Sequence, residues 1–150
     1  MPSTESRAIF EAFLRAANGH DPTALDSLLH PDYIGTYPQS GEQVRGGANL
    51  GAILANYPGD YKNVGDHHVI GSEDRWVVTP SLTLMRVEGG GDTFTGVQKA
   101  RYPDGTHWHV VTIGEIRDGK IWRTQTIFGQ AFEPPAWRSA WVEVIPDPDR

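Results

Sequence analysis

The sequence predicts an α+β fold, with helices first and a long antiparallel strand meander after them. Three observations carry that expectation. Apolar residues recur at helical spacing in the first third: Phe10, Phe13, Leu14 and Ala17 fall at i, i+3, i+4 and i+7, and so do Leu50, Ile53, Leu54 and Tyr57. From residue 63 onward, runs rich in β-branched and aromatic residues are separated by the turn signals "SEDR", "EGGGD", "YPDGT" and "RDGK". Helical segments grouped ahead of strands, rather than interleaved with them, favour α+β over a parallel α/β sheet.

The first helix carries the Phe10 face and ends at Asn18-Gly19. Asp21-Pro22 reads as an N-cap followed by proline at the first helical position, and Leu25, Leu28 and Leu29 form the apolar face of a short second helix stopped by Pro31. "TYPQSGEQVRG" has turn chemistry at its centre and reads as a first hairpin. The third helix opens near Gly46 and ends at Pro58-Gly59. Strands are expected near 63–71, 75–87, 92–101, 106–117 and 120–131. The tail "FEPPAWRSAWVEV" holds so many large apolar groups that it is expected to pack back on the rest of the chain.

With 150 residues the chain suits a single domain, 1–150. It has no cysteine, which excludes disulfides and cysteine catalysis. The N-terminus has no basic patch followed by an apolar run, and no apolar stretch approaches the ~20 residues of a membrane span. A cytoplasmic protein with no membrane partner is therefore expected. A net charge of −6 without a basic cluster argues against nucleic acid as a partner. "EGGGD" is a hairpin tip with no helix behind it, so it is not a phosphate loop, and neither G-x-S-x-G nor H-E-x-x-H occurs.

The pieces "NGHDPTALDSLLHPDY", "YPQSGEQVRGGANL", "GEIRDGKIWRTQTIF" and "FEPPAWRSAWVE", in that order, resemble the NTF2-like superfamily and within it the SnoaL-like group, over about Arg7 to Val144. The resemblance implies a cone-shaped fold with three N-terminal helices packed on a curved antiparallel sheet, enclosing a pocket. It also implies a homodimer through the convex sheet face. Ketosteroid isomerases of this fold use a tyrosine on the first helix, an aspartate base in the first hairpin and a protonated aspartic acid on a late strand. Those positions correspond here to Phe13, Tyr37 and Thr112, so all three isomerase groups are missing. The resemblance argues for the pocket and against that proton shuttle.

Tyr37 is a poor base, since its reference pKa of ~10 leaves roughly 0.1% ionised at neutral pH, but it is a suitable donor to a carbonyl or developing oxyanion. Strand alternation puts Trp108, Val110, Thr112 and Gly114 on one face, and His107 and His109 on the other. The H-x-H pair is then a surface or dimer feature and not a metal site. His67 and His68 alternate to opposite faces, and His68 is taken as the inward acid–base candidate. His30 reads as structural and His20 as an exposed loop residue. Trp122, Thr124, Thr126 and Phe128 share one face of the last strand, Arg123 and Gln125 the other. Phe13, Trp76, Trp108 and Phe128 would make an aromatic cavity for a flat apolar ligand, against the plain alternative that they fill the core.

The leading expectation is a pocket for a small, mostly apolar organic molecule, with no cofactor and no metal. If there is chemistry, it is cofactor-free isomerisation, cyclisation, dehydration or ring opening: Tyr37 donating, Thr112 orienting, and a histidine or water moving the proton. Two rivals stand beside it, a non-catalytic carrier and a protein-interaction module.

Overall fold

The computed structural model of the chain describes residues 4–57, 62–63, 68–71, 92–102 and 104–146. Helix α1 (Thr4–Asn18) buries Phe10, Phe13 and Leu14 of the expected stripe; the fourth buried apolar residue is Ala16, while the expected Ala17 is partly buried against the core. Helix α2 (Pro22–Leu28) starts as its sequence demands: the Asp21 side chain accepts from the Ala24 N–H at 3.1 Å, and Pro22 takes the first turn, where no N–H is needed. Helix α3 (Gly47–Ala55) is capped by Gly46 and turns Leu50 inward. The predicted stop at Pro58-Gly59 lies outside the described residues.

The described strands are β1 (Leu29–Tyr37), β2 (Glu42–Arg45), β3 (Lys62–Asn63), β4 (His68–Gly71), β5 (Thr93–Arg101), β6 (His107–Arg117) and β7 (Lys120–Gln130). They form one sheet in the order β2-β1-β7-β6-β5-β3, with β4 also on β5. The expected strand at 63–71 is met by β3 and β4, both antiparallel to β5. The one expected at 75–87 lies outside the described residues. The β6–β7 turn is a two-residue hairpin in which Asp118 and Gly119 have φ of 53° and 70°, the left-handed pair that an Asp-Gly turn supplies.

Three features differ from expectation. The sheet is mixed, because β1 runs parallel to β7. The second helix stops at Leu28, before Pro31, and Pro31 lies inside β1. The β1–β7 ladder is interrupted between Leu29 and Ile34, so a residue without an N–H loses no bond there. Third, the C-terminal tail does not pack back. It holds a short 3₁₀ turn (Ala136–Trp141) with no buried residue, and Trp137 and Trp141 are 75% and 79% exposed. Pro134 and Pro135 cannot donate to a ladder, so the chain leaves the sheet after β7, and a turn of six residues has no face broad enough to anchor it.

The core lies between α1 and the face of the sheet that the helices cover. Phe10 and Phe94 are both fully buried and stack at 5.7 Å between ring centroids. Close approach depends on two glycines set diagonally across β5 and β6: a Cβ at Gly114 would stand 2.4 Å from Phe10 Cε2, and one at Gly96 2.7 Å from Leu14 Cδ1. Tyr33 is buried beside them and its hydroxyl shares a 2.7 Å hydrogen bond with Thr124 Oγ1. Burial, partly offset by that bond, pushes the Tyr33 pKa up to about 12.

This has a pH consequence. The phenol is charged only when deprotonated, and its folded pKa lies above the unfolded value of 10. Its stabilisation is therefore complete below pH 10 and is lost as pH rises toward 12. The loss is expected to reach roughly 2–3 kcal/mol. Urea unfolding between pH 9 and 12 should show this fall, and Tyr33→Phe should lack most of it. An unchanged alkaline slope in Tyr33→Phe would refute the assignment.

Candidate functional site

Pairing across β5, β6 and β7 lays the helix-covered face out in rows. Phe94, Gly114 and Thr124 form one; Gly96, Thr112 and Thr126 the next; then Gln98, Val110 and Phe128; then Ala100, Trp108 and Gln130. Phe10 and Leu14 lie on the first row and on Gly96. The candidate site comprises the polar and aromatic side chains further along the same face.

Tyr37 belongs to that group. It follows the Thr36–Gln125 pair of the parallel ladder, which sets it alongside Thr126. Its ring lies 6.1 Å from that of Phe128. The reason is local. Pro38 ends the β1 ladder, and the Gln39 side chain takes over as a substitute strand, its amide donating to the Phe128 carbonyl and accepting from the Phe128 N–H. Burial, and secondarily the carboxylate of Glu42 across the hairpin, hold the Tyr37 pKa above its usual 10. Tyr37 thus stays protonated at neutral pH and can donate a hydrogen bond, but cannot serve as a base.

Thr112 is 5% exposed, and its Oγ1 lies 3.5 Å from Thr126 Oγ1. Gln98, diagonal to Thr112 on the neighbouring strand, is 4% exposed, and its buried Nε2 has no hydrogen-bond partner among the described residues. A buried amide donor left unmet costs about 1–3 kcal/mol, so such groups mark a missing acceptor. The sequence reading did not select Gln98. The signal was available: in "TFTGVQKAR" Gln98 is the polar residue on the Phe94, Gly96, Ala100 face of β5.

The other expected site residues are dispersed. Phe13 is a core residue, 5% exposed and 6.3 Å from the Phe10 ring. Trp108 stands at the far row, where its Nε1 donates to Thr106 Oγ1 at 2.7 Å and its ring meets Tyr102 edge-on at 5.2 Å. Tyr102 stacks on Tyr57, and Tyr57 meets His20 at a tilt, so these rings link β6, the end of β5, the end of α3 and the α1–α2 loop. His68 begins β4, opposite Val97. His67 and Trp76 lie outside the described residues. His109 is exposed on the opposite face, as strand alternation requires. Trp122 does not share the Thr124 face. A bulge in the β6–β7 ladder lets Ile121 and Thr124 both turn inward, so Trp122 is displaced toward Arg117 and Arg123. Among the described residues, no group of three or more His, Asp or Glu side chains could hold a metal ion.

A sequence profile of the SnoaL-like domain matches residues 10–124. The chain belongs to the SnoaL-like family. Solved structures similar to this SnoaL-like protein agree. An NTF2-like protein of unknown function from Burkholderia xenovorans is 30% identical, with a TM-score of 0.67 over 95% of this chain and 96% of that one. A candidate ketosteroid isomerase from Kribbella flavida is 22% identical, with a TM-score of 0.69 over 96% and 92% of the two chains. An LEH-like epoxide hydrolase of M. tuberculosis is 20% identical, with a TM-score of 0.57 over 85% and 84%. The last two share the fold. No curated protein matches the chain. No described helix of this SnoaL-like protein is long and apolar enough to cross a membrane.

Proposed function

We propose that this SnoaL-like protein binds a small, mostly apolar organic molecule with a hydrogen-bond acceptor, a carbonyl above all, on the helix-covered face between Tyr37, Thr112 and Gln98. The observation that carries the proposal is the buried Gln98 Nε2, unpartnered among the described residues, on the same face as two threonine hydroxyls and the protonated Tyr37. Phe128 and Val110 supply the apolar surface between these donors. The isomerase and epoxide hydrolase types among the fold neighbours support a small-molecule ligand. The described side chains of this face are donors that do not ionise near neutrality, which favours binding over acid–base chemistry. A cofactor-free isomerase, cyclase or lyase is the second reading. It is favoured by Tyr37, which can donate to a developing oxyanion, and it needs a proton acceptor from elsewhere in the chain.

We also propose that two copies pair through the convex face. Val97, Val111 and Ile127 form an apolar row there, and Ile127 is 39% exposed.

The test is Gln98→Leu, with a panel of flat cyclic ketones screened by thermal shift and titrated by calorimetry. Removing an unmet buried donor should raise the melting temperature of the free protein by a few degrees, as about 1 kcal/mol does in a chain of this size. The same change should weaken ketone binding about tenfold, and Tyr37→Phe should weaken it several-fold. A Gln98→Leu variant that is less stable and binds ketones unchanged would show that the amide has a structural role, and the proposal would fail.

A further inference from the structure

A groove of about 530 Å³ opens beside the β7 bulge, bounded by the first half of β1, the end of β2 and the β6–β7 hairpin. It shares no residue with the proposed carbonyl site. It lies at the β1–β2 edge of the sheet, four residues along β7 from Ile127, beside the convex apolar row and not on it. Arg45, Arg117 and Arg123 all line it, and Asp32 is the carboxylate among its lining residues. Three guanidiniums against one carboxylate is an unusual concentration in a chain of net charge −6. Among the described residues none of the three is taken up by an ion pair; the pair found nearby joins His30 to Asp118 at 3.4 Å.

The bulge builds the site. Trp122, displaced from strand alternation, brings its ring within 3.7 Å of the Arg117 guanidinium carbon and 4.1 Å of that of Arg123. Stacking on a ring fixes each guanidinium plane and leaves its N–H edges available. Arg123 uses Nη1 on the backbone carbonyls of Asp32 and Trp122, at 2.6 and 3.0 Å, and keeps its other donors. With its amide turned so that the oxygen faces the guanidinium, Gln43 steadies Arg45 at 3.3 Å from Nε and 3.2 Å from Nη2.

We propose that this groove is a second binding site, for a small organic molecule carrying a tetrahedral oxyanion, a phosphate or sulfate monoester. A planar guanidinium edge matches two oxygens of such a group. A carboxylate offers a single two-oxygen edge to a bidentate fork, so it engages one guanidinium edge fully and the others only through single bonds. A monoester presents three terminal oxygens and up to two negative charges, which meets three forks. Pro31 and Ile34 give the groove an apolar side for the organic part, and its volume suits a molecule of that size.

Calorimetry at low salt with phenyl phosphate, phenyl sulfate, inorganic phosphate and benzoate tests this. Phenyl phosphate is expected to bind at millimolar concentration or better, and benzoate about tenfold more weakly. A tighter phenyl sulfate identifies the sulfate source, a tighter phenyl phosphate the phosphate source. Arg117→Gln, at an exposed residue whose side chain among the described residues meets the Trp122 ring, should cost about tenfold with little change in melting temperature. Arg117→Lys should recover only part of that loss, because charge returns without the fork. Arg123→Lys keeps a donor for the Asp32 carbonyl and should weaken binding in the same way. Absence of binding by both phenyl phosphate and phenyl sulfate, equal affinity for benzoate, or affinity unchanged in Arg117→Gln would each overturn the proposal. Because the groove is separate, Gln98→Leu should leave phenyl phosphate binding intact.

Discussion

Phe10→Ala is expected to cost about 3–5 kcal/mol, the range for deleting a fully buried phenylalanine. Phe10 has no exposed surface, stacks on Phe94 and fills the space that a Cβ at Gly114 or Gly96 would enter. Its ring is the main body between α1 and the middle of the sheet. The neighbours cannot close the gap, because the sheet side offers glycines whose backbone is held in two ladders at once. A loss of this size is a large share of the about 5–15 kcal/mol that stabilises a typical domain. It should lower the melting temperature by roughly 10 °C and the urea midpoint in proportion. A change below about 1 kcal/mol would mean that α1 is not docked as described.

Gly114→Ala tests the same contact from the other side. The added Cβ would stand 2.4 Å from Phe10 Cε2 and 2.9 Å from Cδ2, closer than real Cβ contacts occur. Phe10 cannot swing aside, being packed between Phe94 and Phe13, so the strain passes to α1. Overpacking of this kind costs about 1–3 kcal/mol. The decisive measurement is a double-mutant cycle. In Phe10→Ala the space for a methyl at residue 114 already exists, so the pair should be less destabilised than the sum of the single changes by more than about 1 kcal/mol. Simple additivity would show that Gly114 and Phe10 do not meet.

Much of the candidate site was legible because it rests on strand alternation. The period of two places Val110, Thr112 and Gly114 on one face of β6 and His109 on the other, and the regular β5–β6 pairing leaves that order intact. Tyr37 was legible through the resemblance, which sets it at the base position in the first hairpin of the isomerases. Where the period breaks, legibility ends. Trp122 was assigned to the Thr124 face, and one extra residue in the ladder sends it to the arginine groove. Gln98 was missed because a glutamine in a strand ordinarily reads as an outward residue. Only the packing around it shows that its donor is buried and unmet.

By itself the sequence determined the types of most described elements, Phe10, Phe13 and Leu14 of the α1 stripe, the Asp21 cap, the Asp118-Gly119 turn and the face each residue of β6 presents. These follow from local chemistry and short periods, which act over a few residues. Tertiary structure decided the rest: that β1 lies parallel to β7, that Pro31 sits within a strand, that a bulge turns Trp122 outward, and that the tryptophan-rich tail stays exposed. Each of these depends on which distant segment supplies or withholds a hydrogen-bond partner. That choice is made by the whole sheet, not by any stretch of chain within reach of a local pattern.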